Sequence, residues 1–341
     1  MSQNTKIPAT LIPGDGIGPE VTQATLAVLD ALGAPFEWDI RQAGMAGIEQ
    51  DGDSLPKATL DSIRRTGLAL KGPLTTPVGG GFRSANVRLR EEFGLYANLR
   101  PVKTIVPGRY DNIDIVLVRE NIGGFYVAHD YYIPVGDDPR AVAVSTGTNT
   151  RDGCRRIARF AFDYALKNGR KKITVIHKAN VLKVLTGIFL EAAREVAKDY
   201  EGKVAVDDRI VDAAAMQLVL NPWQFDMLLC TNLFGDILSD LLAGLVGGLG
   251  LAPGANLGDN AAIFEAVHGS APDIAGKGVA NPISLLLAAA MMLDHVGRSD
   301  LGSRVRQGIG DTLNVDQVRT GDLKGKANTR EFTAALVQRL R

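Results

Sequence analysis

The sequence predicts an α/β protein with a largely parallel sheet and helices on both faces. Short apolar runs without polar alternation recur along the chain, and several lead into stretches of 3.6-residue apolar spacing, as strands joined by crossover helices do. At 341 residues the chain has ample material for a core, enough for two domains or one large α/β unit. It carries no internal repeat and no low-complexity segment.

In order, residues 7–13 form an apolar strand that enters Gly14-Asp15-Gly16-Ile17-Gly18-Pro19-Glu20 and then a helix through Leu32. The glycines fall as GxGxG, not GxGxxG, and no acidic residue ends a second strand at the expected distance, so this is not a Rossmann fingerprint. Pro19 at an early helical position marks a glycine-rich strand-to-helix turn. Residues 68–71 are a strand, and 72–84, with two prolines and four glycines, are a loop long enough to be functional. Residues 113–118 are a strand ending in Arg119-Glu120-Asn121. Residues 131–144, broken by Pro134 to Pro139, read as a hairpin-like arm suited to subunit contact. A helix over 154–167, strands over 172–176 and 204–211, and helices over 182–198 and 213–220 follow. Residues 225–230, with Asp226 inside, are a buried strand that passes Asn232 and Gly235 into a helix bearing Ile237, Leu238, Leu241, Leu242 and Leu245. Residues 263–277 hold a Gly/Pro-rich loop able to wrap a ligand or simply to connect two apolar elements, and 283–296 are a buried helix.

Acidic and basic residues balance, 38 against 38, with no basic block, which disfavours nucleic acid as a main partner. Cys154 and Cys230 make neither a disulfide framework nor a metal cluster and fit a reducing cytosol. No signal peptide opens the chain, and its longest apolar runs, such as 285–293, are too short to span a bilayer, so a soluble cytoplasmic protein is expected, with no membrane partner.

Asp236 and Asp240 are four apart and share one helical face, where like charges repel. Either a hard cation such as Mg²⁺ or Mn²⁺ justifies them, or Asp236 is a helix-start residue and Asp240 faces water. Arg90, Arg100 and Arg119 sit at a helix and at strand ends. They read either as scattered surface charges or as forks converging on a polycarboxylate. Taken alone, Lys178 reads as a strand-end surface lysine and Tyr126 as a packed aromatic.

The stretch NLFGDILSDLLAGLVGGLGLAPGAN, with LIPGDGIGPE before it and HGSAPDIAGKG after it, resembles the β-decarboxylating dehydrogenases, the isocitrate, homoisocitrate and isopropylmalate family, over essentially the whole chain. The resemblance implies the isocitrate/isopropylmalate dehydrogenase-like fold, two α/β domains, not a Rossmann fold. A large domain of 1–99 plus 246–341 would carry the cofactor loops. A small domain of 100–245 would carry the metal and catalytic residues and a dimerisation arm at about 129–145. The site would be shared within a homodimer. It further implies that a 2-hydroxy acid is oxidised by hydride transfer to a nicotinamide and then loses CO₂. Arg90, Arg100 and Arg119 match the substrate clamp, Asp212, Asp236 and Asp240 the metal ligands, with Asp212 on the partner subunit. Lys178 and Tyr126 match the base and the acid. Thr75, Thr76, Asn180 and Glu265 match nicotinamide-side contacts, and His268, Gly269, Ala271, Asp273, Ile274 and Asn281 the rest of the cofactor site.

In that loop the family's NADP users carry lysine and tyrosine where this chain has Asp273 and Ile274, and a carboxylate suits the free ribose of NAD, so NAD is expected. Ser84 and Asn86 put a hydroxyl and an amide where isopropylmalate enzymes are apolar, suiting the γ-carboxylate of isocitrate. The chain departs from the family at Ile122-Gly123-Gly124, at Ala213-Ala214, at Val184-Leu185 and at Arg88, an added cation beside the substrate loop. These departures raise the alternative of 3-(phosphonomethyl)malate, an acid with a more anionic tail; homoisocitrate is a further alternative, though the surrounding loop resembles isocitrate enzymes more. A non-catalytic regulatory subunit is more remote, because Lys178, Tyr126, Asp212, Asp236 and Asp240 are all present.

Overall fold

The computed structural model of the chain describes residues 6–75 and 83–341, so Thr76 lies outside the described residues. Its strands in chain order are β1 (Ile7–Ile12), β2 (Phe36–Ile40), β3 (Leu68–Lys71), β4 (Ala97–Lys103), β5 (Asp114–Glu120), β6 (Gly124–Val135), β7 (Asp138–Thr148), β8 (Lys172–His177), β9 (Ala205–Ile210), β10 (Met227–Cys230), β11 (Pro253–Leu257) and β12 (Ala262–Ala266). Its α-helices are α1 (Gly18–Ala31), α2 (Met45–Asp51), α3 (Lys57–Thr66), α4 (Ala85–Glu92), α5 (Arg151–Lys167), α6 (Gly187–Ala197), α7 (Val211–Leu220), α8 (Asn232–Val246), α9 (Ile283–His295), α10 (Ser299–Asn314) and α11 (Thr329–Leu340).

The chain divides into two compact units, one of Met1–Leu95, Pro101–Asn112 and Ala243–Arg341, the other of Tyr96–Arg100 and Ile113–Leu242. The division differs from 1–99 plus 246–341 against 100–245 chiefly in that Pro101–Asn112 groups with the terminal segments, and the chain changes unit within β4 and within α8.

In the first unit the strands run β2-β1-β3-β12-β11. All neighbours are parallel except β11 and β12, which pair antiparallel from Pro253↔Ala266 to Leu257↔Ala262. Helix α9 is apolar nearly all round and buried along most of its length against β11 and β12, as such helices are. Helix α4 sinks Ala85 and Leu89 into a core with Ile12, Leu55, Ile63 and Ile263, which fixes how its remaining residues are presented.

In the second unit β5, β10, β8 and β9 lie side by side and parallel, with Met227↔Val116 and Met227↔Ile173 in register. The strand read from 225 begins at Met227, because the Asp226 carboxylate instead accepts the Lys171 and Lys172 N–H groups (2.6 and 3.1 Å) at the start of β8. The helix read from 182 begins at Gly187, because Val181 and Leu182 donate back to the Lys178 carbonyl and residues 178–186 form successive turns. Helix α8 starts at Asn232, so Asp236 stands a full turn inside it and is not a helix-start residue. The expected arm is the antiparallel hairpin β6–β7, with Tyr131, Tyr132, Ile133 and Val135 exposed.

Candidate active site

A polar cluster of the second unit is built where Arg100 of β4 and the end of β5 meet α8. Arg119, the last but one residue of β5, is only 1% exposed. Its Nε and Nη2 donate to Asn232 Oδ1 at 3.1 and 2.8 Å, and its Nη1 donates to Asp236. Arg100 of β4 brings a second buried guanidinium to 3.5 Å from Asp236 and 4.0 Å from Asp240, while donating to Asn98 (2.8 Å) and Ser239. The Tyr126 hydroxyl donates to the second oxygen of Asp236, and its ring lies 5.0 Å from the Arg119 guanidinium. Burial and the Asp236 bond push that hydroxyl above its ordinary value, so it keeps its proton at neutral pH. Burial, with the Asp236 charge adding to it, also raises the Asp240 carboxyl against the pull of Arg100. Helix packing permits the cluster because residue 235 is glycine, as a Cβ there would stand 2.6 Å from Arg119 Cγ.

Lys178 and Asp212 form a second pair in the same unit, Nζ to Oδ1 2.5 Å, and this hydrogen bond holds the Asp212 carboxyl below its ordinary value. Among the described residues no three acidic, histidine or cysteine side chains gather into a metal-holding group, so Asp212 does not join Asp236 and Asp240 within one chain. Asn180 is exposed two residues beyond Lys178.

The first unit carries the remaining predicted residues. Ser84 occupies the N-cap of α4 without making a capping bond to the helix. Asn86 follows in the first turn, and Arg90 is buried on the same helix. Arg88 is spoken for: its guanidinium is bidentate on Asp53 (Nη2 to Oδ2 3.1 Å) and touches Ser54 Oγ at 3.2 Å, tying α4 to the loop after α2.

Glu265 is buried, with Oε2 2.8 Å from Lys71 Nζ and Oε1 accepting Asn256 Nδ2 at 2.7 Å, so both oxygens are committed. Burial works against its charge, but Lys71 and Arg90 overcome this and hold the carboxyl at about 2, against 4.5 ordinarily. A depressed carboxyl stabilises the fold fully above its ordinary value and loses that contribution as pH falls through the folded-state value. The wild type is therefore expected to lose stability from about pH 4.5 down to about 2, and Glu265→Gln to flatten that slope in urea titrations read at successive pH.

The PGDG turn is a clamp. Asp15 is 7% exposed and accepts N–H bonds from Thr75 (2.7 Å), Met45 (3.0 Å) and Ala46 (3.3 Å). Thr75 Oγ1 in turn lies 2.6 Å from Ser270 Oγ, and Ile17 N donates to Ser270 O. Gly16, at φ +60, packs its α-carbon against Ser270 O where no side chain fits. Beside this clamp lies a cavity of about 670 Å³, whose lining includes His268, Gly269, Ala271, Ile274 and Asn281. His268 Nδ1 lies 2.9 Å from Gly269 O, and its buried Nε2 has no hydrogen-bond partner among the described residues, a polar atom left open on the cavity's lining residue. Burial holds the His268 ring below its ordinary value and hence neutral. Asp273 is exposed on the adjoining loop. Reading the sequence missed the far wall, Gly321, Asp322, Lys326 and Asn328; the glycine- and charge-rich run TGDLKGKAN was its only signal.

Two buried arginines trained on a carboxylate pair, a lysine–aspartate pair and a mainly apolar cavity edged by His268, Asn281 and Asp322 are the parts of a dehydrogenase that acts on an organic acid. A family model described as isocitrate/isopropylmalate dehydrogenase matches residues 8–336, and the chain belongs to that family of decarboxylating dehydrogenases. It is similar to a crystal structure of isocitrate dehydrogenase from Methylococcus capsulatus, with TM-score 0.95 and 50% identity over 98% of this chain and 99% of that one. It is 46% identical to the isocitrate/homoisocitrate dehydrogenase of Thermus thermophilus, over 97% of this chain and 98% of that protein. It is 45% identical to a mitochondrial regulatory subunit of the NAD isocitrate dehydrogenase of Dictyostelium discoideum, over 97% of this chain and 91% of that protein.

Proposed function

We propose that the protein oxidises isocitrate, or an acid of the same (2R,3S) type, with NAD and releases CO₂ to give the 2-oxo acid. The observation that carries this reading is the pair of buried guanidiniums, Arg100 and Arg119, trained on Asp236 beside Asp240. Fixed forks of this kind bind substrate carboxylates bidentately. Within the first unit, Ser84 and Asn86 at the N-terminus of α4, with Arg90 on the same helix, suit a carboxylate.

Lys178 would take the C2 hydroxyl proton; a nicotinamide, when bound, would supply the acceptor for the C2 hydride. After CO₂ has left, Tyr126, which holds its proton at neutral pH, returns one to the enolate carbon. Hard carboxylate oxygens at Asp236 and Asp240 fit Mg²⁺ or Mn²⁺, and Asp240, raised by burial, gains from a cation beside it. When bound there, with Asp212 of a second copy, the ion supplies Lewis-acid polarisation of the C2 oxygen. Because Lys178 and Asp212 are bonded to each other, a second copy that lends one lends both, which supports a homodimer with shared sites, the exposed β6–β7 arm making the contact.

For the cofactor, Asp273 and the cavity-lining Asp322 support NAD, since both carboxylates accept from hydroxyls and repel a 2′-phosphate. The pairing of Arg88 with Asp53 supports a carboxylate tail over a phosphonate one. Two buried free thiols, with burial pushing Cys154 up to about 12, suit a reducing compartment such as the cytoplasm.

The reading is tested by offering isocitrate, homoisocitrate, isopropylmalate and 3-(phosphonomethyl)malate in parallel, each with NAD and with NADP. The expected result is the highest kcat/KM for isocitrate with NAD, and the same order of acids in Arg88→Ala. A preference for the phosphonate that Arg88→Ala abolishes would overturn the choice of acid, and equal use of NADP the choice of cofactor.

A further inference from the structure

We propose that His177 is a positioning residue for Lys178, its imidazole fixing the turn that carries the lysine by accepting the N–H of Ala179. The inference rests on the reading of Lys178 as the base.

His177 is the last residue of β8, and its ring is buried at 7% exposed. Nδ1 lies 3.1 Å from the Ala179 N–H and so must present a lone pair. The proton therefore sits on Nε2, which lies 3.1 Å from Asp208 Oδ2 on the neighbouring strand β9. The other oxygen of Asp208 accepts Arg194 Nη2 from α6 at 2.6 Å. Burial opposes the charge on Asp208, but the bonds from Arg194 and His177 outweigh it and keep the carboxyl below its ordinary value. The ring is thus held in one tautomer and one orientation by groups on β9 and α6.

The backbone of Lys178 is gripped from the other side as well. Its own N–H donates to Thr186 Oγ1 at 3.2 Å, and Thr186, buried, donates onward to Leu182 O at 3.1 Å. The N–H groups of residues 178 and 179 are therefore both satisfied by side chains, in a segment of turns where no helix or sheet ladder would hold them. Lys178 projects a flexible four-carbon stem, so holding its backbone still limits where the amine can stand, and small misplacements of a reacting group are costly.

The two bonds of the ring can be separated. A side-chain oxygen of residue i accepting the N–H of residue i+2 is the geometry of an Asx turn, so His177→Asn retains the bond to Ala179 while losing the one to Asp208. His177→Gln does the reverse, because its amide reaches the Nε2 position but offers Ala179 no acceptor. The 341-residue protein, in whatever assembly it forms, is assayed for kcat and for the KM of isocitrate and NAD. His177→Asn is expected to keep kcat within about threefold of wild type, and His177→Gln to lose about tenfold or more with both KM values little changed.

Equal losses in the two variants, or no loss in either, would overturn the proposal, since packing alone does not distinguish them in this order. Should His177→Gln fail to fold, Thr186→Val against Thr186→Ser puts the same question to the Lys178 N–H: loss in the first with rescue in the second supports a fixed turn, and equal behaviour contradicts it. Lys178→Ala separates the two levels. An inert Lys178→Ala beside indistinguishable His177 variants sinks only the positioning role, whereas an active Lys178→Ala sinks the base as well.

Discussion

Replacing Lys178 with alanine is expected to lower kcat by about 10²–10⁴-fold, the usual worth of a positioned general base, with a smaller change in the KM of isocitrate. The fold should tolerate it. The bond from Lys178 goes to Asp212, which is 69% exposed, and an exposed, solvent-screened pair adds little to stability. A comparison of kcat with the urea midpoint checks this directly. Activity should collapse while the midpoint barely moves, and a variant that unfolds early would mean the lysine holds structure instead.

Gly235→Ala should fail for the opposite reason. Alanine in a helix interior is favoured over glycine by about 1 kcal/mol. Here the new methyl would stand 2.6 Å from Cγ and 2.8 Å from Cβ of Arg119. Arg119 has no room to retreat: it is 1% exposed and held by Asn232 and Asp236. Overpacking of that kind costs about 1–3 kcal/mol and outweighs the propensity gain. The displaced guanidinium would also lose its aim, and a shift of about 1 Å in a positioning group can cost about 10²-fold in rate. Urea unfolding together with the isocitrate KM and kcat tests both effects, and an unchanged KM and kcat in a folded variant would argue that Arg119 does not touch the acid.

The fold class was legible because its signal is local: β5 and β10 are apolar without alternation, and the helix after β10 keeps a 3.6-residue period. The boundaries that slipped did so for tertiary reasons. Asp226 lies in an apolar run but serves β8, some 55 residues earlier in the chain. Residues 182–186 have helical composition, yet side-chain bonds from His177 and Thr186 hold the preceding backbone in turns. Candidate residues inside dense motifs, such as Asp236 and Asp240, could be picked out by spacing. Their partners could not, since Asn232, Ser239 and Asn98 become significant only once Arg100 and Arg119 are placed. Arg88 shows the limit most clearly. From sequence it was a spare cation beside the substrate loop, and its partner Asp53 lies 35 residues away, where no periodicity points.

The proposed oxidative decarboxylation, with a divalent cation at Asp236 and Asp240, is put to the test by measuring NADH and CO₂ together from isocitrate, before and after chelation. One CO₂ is expected for each NADH, with loss of both in EDTA and recovery of both with Mg²⁺ or Mn²⁺. NADH formed without CO₂, or turnover indifferent to the chelator, would contradict it.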